Sequence, residues 1–233
     1  MYNRKDLLGL RDLSADEIMT ILNTAKEMKA KIDNPSLRDD SLSKSSIVTL
    51  FYENSTRTKM SFMLAGDYQG AIVKDLGVAT SIVSKGESLV DTGVTLDQMG
   101  INIMIIRHQM TGAAHLLAKN VKASVVNAGD GSNEHPTQAL LDLFTIMEKK
   151  GSFEGLKVVI LGDISHSRVA RSNAFGLTKL GAKVTLAGPS TLVSNSMKSL
   201  GVEVETDIPK AIKDADVVMG LRIQFERQKN MPF

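Results

Sequence analysis

Phe51-Tyr52-Glu53-Asn54-Ser55-Thr56-Arg57-Thr58-Lys59-Met60-Ser61-Phe62 marks the place where a strand gives way to a helix. Ahead of it runs Ile47-Val48-Thr49-Leu50-Phe51-Tyr52, a β-branched and aromatic series that suits a buried, pleated segment. Behind it lie residues with good helix propensity. A helix that begins here has several backbone N–H groups without intrahelical partners, at the positive end of its dipole. Phosphate is a natural guest at such a place. Ser55, Thr56 and Thr58 add hydroxyl donors, and Arg57 adds a planar fork that grips phosphate oxygens in pairs. The plainer alternative is an N-cap serine beside a solvated arginine. The stretch alone leaves both open.

Outward from it, strand-like and helix-like segments alternate. Strands are expected at 46–52, 71–76, 101–107 and 122–128, with helices near 56–69, 87–99 and 112–120. The second half repeats the pattern, with strands at 157–162, 183–188, 202–206 and 216–222 and helices near 168–180, 190–199 and 208–215. Runs such as Val158-Val159-Ile160-Leu161 are apolar without alternation, as in strands covered on both faces of a parallel sheet. The fold class is therefore α/β, with two parallel sheets flanked by helices. Near the start, Ser14-Ala15-Asp16-Glu17 forms a capping-box pattern. It opens an amphipathic helix carried by Ile18, Ile21, Leu22, Ala25, Met28 and Ile32. Between the halves, a helix opens at Pro136 and carries Leu140, Leu141, Leu143, Phe144, Ile146 and Met147, which leave little polar face, so it is expected to be buried between two domains.

Composition excludes several function classes. The chain has 233 residues, 42% of them hydrophobic, and its 28 basic and 26 acidic residues leave a formal charge of +2. Without a basic run, any anionic ligand must be selected by local clusters and not by the overall field, and no nucleic-acid partner is expected. There are no cysteines, hence no disulfides, thiolate metal sites or cysteine nucleophiles. His108, His115, His135 and His166 lack metal-ligand spacing, so no metal is expected. No segment reaches about 18 uninterrupted apolar residues, so a soluble cytoplasmic protein with no membrane partner is the expectation.

In open parallel sheets, ligands gather at the carboxyl ends of strands. Here those ends carry Ser55 to Thr58, a Gly/Ser-rich loop holding Ser81 and Lys85, then Arg107-His108 and Asn127 through His135. In the second half they carry Gly162-Asp163 followed by Arg168 and Arg171, and Arg222-Ile223-Gln224. Such a concentration of cations calls for strongly anionic ligands. Single residues have plainer readings: a solvated Lys85, a His135 that caps the helix at Pro136, an Arg168 on the surface. A cation at a helix start opposes the dipole, however, which favours a ligand for Arg168. The glycines after strand 157–162 do not form G-x-G-x-x-G, which argues against a dinucleotide.

These motifs together resemble the catalytic chains of aspartate carbamoyltransferases. The resemblance rests on Ser55-Thr56-Arg57-Thr58, Ser84-Lys85-Gly86-Glu87, Arg107-His108, Asn127-Ala128-Gly129-Asp130-Gly131-Ser132 with His135-Pro136-Thr137-Gln138, Ser167-Arg168-Val169-Ala170-Arg171-Ser172, and Arg222-Ile223-Gln224-Phe225-Glu226-Arg227. It implies a carbamoyl-phosphate-binding domain over residues 1–134 and an aspartate-binding domain over 135–233, linked by a helix at about 136–149. Ser55, Thr56, Arg57, Thr58 and Arg107 would hold the phosphate. Thr58, Arg107 and His135 would bond to the carbonyl oxygen, and Gln138 to the carbamoyl nitrogen. Arg168 and Arg222 would take the carboxylates of L-aspartate, supported by Gln224. Ser81 and Lys85 would reach the site of a neighbouring subunit, which implies a homotrimer with shared sites; a regulatory chain or a dihydroorotase are further partners left open. No cofactor is implied. Rival readings are the ornithine enzyme and a non-catalytic relative serving in assembly; retention of Arg57, Lys85, Arg107, His135, Arg168 and Arg222 speaks against the second.

The chain departs from the family pattern at Met63 and Gln109, where glutamate and proline are usual. It ends at Met231-Pro232-Phe233, where family members continue for several tens of residues. The second domain is thus expected to be incomplete, and the chain by itself to bind carbamoyl phosphate weakly and turn over poorly.

Overall fold

The computed structural model describes residues 3–77 and 86–222. It divides into two compact units. The first comprises Met1–Gly9, Asn23–Gly131 and His135–Thr137; the second comprises Leu10–Leu22, Ser132–Glu134 and Gln138–Phe233.

The first unit is built on a parallel sheet of β1 (Ser46–Phe51), β2 (Ile72–Leu76), β3 (Ile103–His108) and β4 (Ser124–Asp130), in the order β2-β1-β3-β4. Each strand is joined to the next through a helix: α2 (Thr56–Asp67), α3 (Leu89–Gln98) and α4 (Ala113–Asn120). Alternate residues of the strands face opposite ways, and both faces are apolar. Val48, Leu50, Met104, Ile106 and Val125 pack with Leu117 of α4 and Leu89 and Leu96 of α3. Ile47, Phe51, Ile105 and Ala128 pack with Phe62 of α2. Burial on both sides is why the central strands β1 and β3 are largely apolar, whereas β2 at the margin is mostly exposed.

The N-terminal segment closes the outer side of β4. Leu7 forms a parallel bridge to Val126, with Leu7 N–H donating to Val125 O at 2.9 Å and Asn127 N–H donating to Leu7 O at 2.9 Å. Asp6 Oδ1 accepts from Val125 N at 2.8 Å, and Asn127 Nδ2 donates to Leu8 O at 2.8 Å. Lys5 Nζ reaches the carbonyls of Ala118, Val121 and Ala123 at the end of α4.

The second unit holds β5 (Lys157–Leu161), β6 (Lys183–Ala187), β7 (Glu203–Glu205) and β8 (Val217–Gly220), parallel and in the order β7-β6-β5-β8. Its main helices are α5 (Pro136–Lys150) and α6 (Arg168–Lys179). These two approach closely at Gly176, where an added Cβ would lie 2.8 Å from Leu143 Cδ1. Val158, Ile160, Leu186, Ala174 and Leu177 are fully buried or nearly so.

α1 (Ala15–Asp33) opens with the reciprocal bonds of a capping box: Glu17 N to Ser14 Oγ at 3.2 Å, and Ser14 N to Glu17 Oε2 at 2.8 Å. Ile18 and Leu22 are buried, but the apolar stripe surfaces further on, with Ile32 exposed. Three helix expectations need correction. Over 190–199 there is only a 3-10 turn, Asn195–Leu200, because Ser194 accepts from Ser196 N and starts the turn late. α7 (Ile208–Ile212) stops short of residue 215, since Lys213 is extended and Asp214 adopts φ 59. α5 buries Ala139, Leu140, Leu143 and Ile146 but leaves Leu141 59% exposed, so one face meets solvent.

Candidate functional site

In the first unit the sheet order 2-1-3-4 changes direction between β1 and β3, and a crevice forms outside such a switch point. Phe51 at the end of β1 lies in register with Arg107 of β3, and Tyr52 N–H donates to Arg107 O at 2.9 Å. The two expected phosphate-binding segments are therefore neighbours across one strand step. Ser55 is the N-cap of α2, extended at φ -161, yet its side chain makes no capping hydrogen bond. The plainer alternative is thus met in part: Ser55 holds the N-cap position and Arg57 is exposed, but the serine hydroxyl does not cap the helix. Thr56 and Arg57 are exposed and Thr58 is half-buried. The first N–H to close a helical ring is that of Lys59, bonded to Ser55 O at 3.1 Å, so the N–H groups of Thr56, Arg57 and Thr58 precede it and lack helical partners.

Arg107 is mostly buried. Its Nη2 donates to Glu53 Oε1 at 2.7 Å and its Nη1 to Ala128 O at 3.4 Å. Glu53 had no role in the sequence reading, although it stands four residues before Arg57; a contact across 54 positions leaves no local pattern. His108 stacks at a tilt on Tyr52, ring centroids 4.8 Å apart, and its Nδ1 accepts from Met110 N at 2.9 Å. Burial pushes the His108 ring below its ordinary pKa, against the opposing pull of Asp130 and Glu53. The carboxyl end of β4, Asn127–Asp130, is engaged internally: Asp130 accepts from Gly112 N at 2.7 Å and from Asn127 Nδ2 at 2.9 Å. His135 is 5% exposed, with Nδ1 3.4 Å from Thr137 Oγ1. The first unit thus offers hydroxyls, free helix-start N–H groups and two guanidinium side chains at one sheet edge, a set suited to a phosphate and an adjoining polarised carbonyl.

In the second unit the order 3-2-1-4 switches between β5 and β8. Gly162 follows β5 at φ +130, where a Cβ would stand 2.7 Å from Leu221 O, and Leu221 N–H donates to Leu161 O at 2.7 Å. This close approach sets Arg222, exposed after β8, beside the loop that leads to α6. Arg168 is the first residue of α6 and only 3% exposed, so it is not a surface arginine. Ser167 before it caps the helix, accepting from Ala170 N at 3.1 Å. Asp163, fully buried, lies 2.7 Å from His166 Nδ1. Gln138, in the first turns of α5, donates from Nε2 to Asp142 Oδ1 at 3.0 Å. Buried Glu134 accepts from Leu10 N at 2.7 Å and Ser172 Oγ at 2.9 Å. Burial raises the carboxyls of Glu134 and Asp142 above the usual range, partly offset by those donors. Ser81, Lys85 and Gln224 lie outside the described residues.

Residues 5–148 match the family model for the aspartate/ornithine carbamoyltransferase, carbamoyl-P binding domain. The chain is 62% identical over 225 residues to the aspartate carbamoyltransferase catalytic subunit of Ruminiclostridium cellulolyticum, covering 97% of this chain and 72% of that one. It superposes on aspartate transcarbamoylase from Trypanosoma cruzi in complex with carbamoyl phosphate at a TM-score of 0.87 and 30% identity, covering 97% of this chain and 74% of that one. The same enzyme in complex with aspartate and phosphate gives a TM-score of 0.87, also at 30% identity, covering 97% and 76%.

Proposed function

The chain belongs to the aspartate/ornithine carbamoyltransferase family, and from that premise we propose that it moves the carbamoyl group of carbamoyl phosphate onto the amino group of L-aspartate. The products are N-carbamoyl-L-aspartate and phosphate, a step of pyrimidine synthesis. One observation carries the reading: within the matched stretch, a helix start with an uncommitted Ser55 hydroxyl adjoins Arg107 at the switch point of a parallel sheet.

Residues 1–134 act as the carbamoyl-phosphate-binding domain and 135–233 as the aspartate-binding domain. Ser55, Thr56, Arg57 and Thr58 hold the phosphate together with Arg107. The deprotonated amine of aspartate attacks the carbonyl carbon, and charge grows on the carbonyl oxygen. Thr58, Arg107 and His135 donate to that oxygen, the most productive place for fixed donors in acyl transfer. The C–O bond to phosphate then breaks, Arg57 and the start of α2 neutralise the departing anion, and that phosphate is our candidate to take the amine proton. Gln138 binds the carbamoyl nitrogen. Arg168 and Arg222 grip the two carboxylates of aspartate, with Gln224 in support; two guanidinium groups suit a dicarboxylate better than the cationic side chain of ornithine. Ser81 and Lys85 are supplied by a neighbouring subunit of a homotrimer, on which a regulatory chain or dihydroorotase could assemble. We place the enzyme in the cytoplasm; among the described residues no helix is long and apolar enough to cross a membrane.

A colorimetric assay for carbamoyl-aspartate tests the reading, with Arg57→Ala and Arg222→Ala as controls. Product from aspartate, inhibited by succinate but not norvaline and lost in both variants, is expected. Product from ornithine alone would overturn it.

A further inference from the structure

The carbamoyl group differs from an acetyl group in presenting –NH2, a pair of donors, where acetyl has a methyl. To recognise that amine, Gln138 must offer its oxygen and not its own –NH2. Gln and Asn amides have nearly the same shape either way round, so something must decide which end faces the ligand.

The decision is visible in the bonds between α5 and α6. Asn173, fully buried on α6, donates from Nδ2 to Val169 O at 3.1 Å and to Asp142 Oδ2 at 2.8 Å. The first bond fixes which end of the Asn173 amide is the donor. The second pins the Asp142 carboxylate, whose other oxygen accepts from Gln138 Nε2 at 3.0 Å. Gln138 and Asp142 stand at i and i+4 on α5, the spacing at which such pairs meet. The glycine contact at Gly176 brings the two helices close enough for Asn173 to reach across. A carboxylate has only acceptors, so only the –NH2 end of Gln138 satisfies it, and Oε1 is turned the other way.

We propose that Asp142, held by Asn173, is a positioning residue that sets the Gln138 amide with its oxygen toward the carbamoyl –NH2, and so selects carbamoyl phosphate over acyl phosphates that lack the amine. The proposal rests on the reading of Gln138 given above. With Asn at position 142, Asn173 still demands an acceptor, so the new –NH2 must face Gln138. The Gln138 amide then reverses and meets the substrate amine donor to donor.

The test compares binding of carbamoyl phosphate and of acetyl phosphate, nearly isosteric with a methyl in place of –NH2. Asp142→Asn is expected to weaken carbamoyl phosphate about 10- to 100-fold while acetyl phosphate changes less than about twofold. Gln138→Ala should erase the same selectivity, and the double variant should be no worse than either single one. Equal weakening of both ligands by Asp142→Asn marks a merely structural role and overturns the proposal, as does no change in either. If Gln138→Ala leaves selectivity intact, or the unsubstituted chain shows none, the Gln138 reading itself falls; if only Asp142→Asn fails, that reading survives. Should Asp142→Asn not fold, Asn173→Ser removes one donor from Asp142: selectivity must drop, or the proposal is wrong.

Discussion

Two helix starts in this molecule each have a serine at the N-cap and an arginine in the first turn, and they are built in opposite ways. α2 opens with Ser55-Thr56-Arg57 after β1, and α6 opens with Ser167-Arg168 after β5. Each stands at the carboxyl edge of its own parallel sheet. At α6 the serine hydroxyl is committed to Ala170 N and the arginine is buried. At α2 the serine makes no cap and the arginine is exposed. A helix start whose caps are satisfied internally is a structural joint that carries a cation on a fixed stem. One left unsatisfied keeps donors available for a ligand, which in the function proposed above is the phosphate. The buried Arg168 opposes the dipole of α6, a conflict that a dicarboxylate substrate would relieve.

Arg57→Ala should break the comparison most severely. Loss of the phosphate fork is expected to lower kcat/KM for carbamoyl phosphate about 100- to 1000-fold, while an exposed position leaves the denaturation midpoint within about 0.5 kcal/mol. Arg168→Met should lower kcat/KM for aspartate about 100-fold and also lower the midpoint, because groups that face a buried guanidinium are left facing an apolar chain. An unchanged midpoint in that variant would show that the burial is not structural. The serines sharpen the contrast at smaller scale. Ser167→Ala should cost about 1 kcal/mol in chemical denaturation. Ser55→Ala should cost almost no stability but weaken phosphate binding about 2- to 10-fold; the reverse pattern would dissolve the distinction.

The smallest effect concerns His108, whose ring is held below its ordinary value of 6.5, chiefly by burial. A base with a depressed folded pKa binds fewer protons folded than unfolded. Its contribution to stability is present above pH 6.5 and is lost as pH falls through the lower folded value. Urea midpoints should therefore fall on acidification below pH 6.5, and His108→Gln should flatten that part of the profile. Protonation also removes the Nδ1 lone pair that accepts from Met110 N.

All eight expected strands are present near their expected limits; β1, β3 and β5 could be read from the chain because strands covered on both faces are largely apolar. The starts of α2 and α6 were legible for a similar local reason: serine, threonine and arginine crowd them. What escaped was decided at a distance. Whether Ser55 or Ser167 caps its helix depends on how the chain enters, which a serine at the N-cap position does not by itself reveal. The partners Glu53 of Arg107 and Asn173 of Asp142 lie 54 and 31 positions away, and no periodicity marks them. The missed solvent face of α5 has the opposite origin: six large apolar residues hid the fact that Leu141 points outward. Over 190–199, serine side chains offered the backbone a turn that competed with helix.

The segment that seals β4 carries a consequence in time. Asp6 bonds to Val125 across 119 positions. At a synthesis rate of roughly 5–20 residues per second, the early segment waits about 6–24 s for its partner. The reverse wait is negligible: when β4 leaves the ribosome, the piece that covers its outer side is already outside. The strand at this margin of the sheet thus has its covering segment at hand as soon as it is made. Moving residues 5–8 to the C-terminus by circular permutation would invert that order and leave β4 open during synthesis, and a higher insoluble fraction on expression is the expected sign.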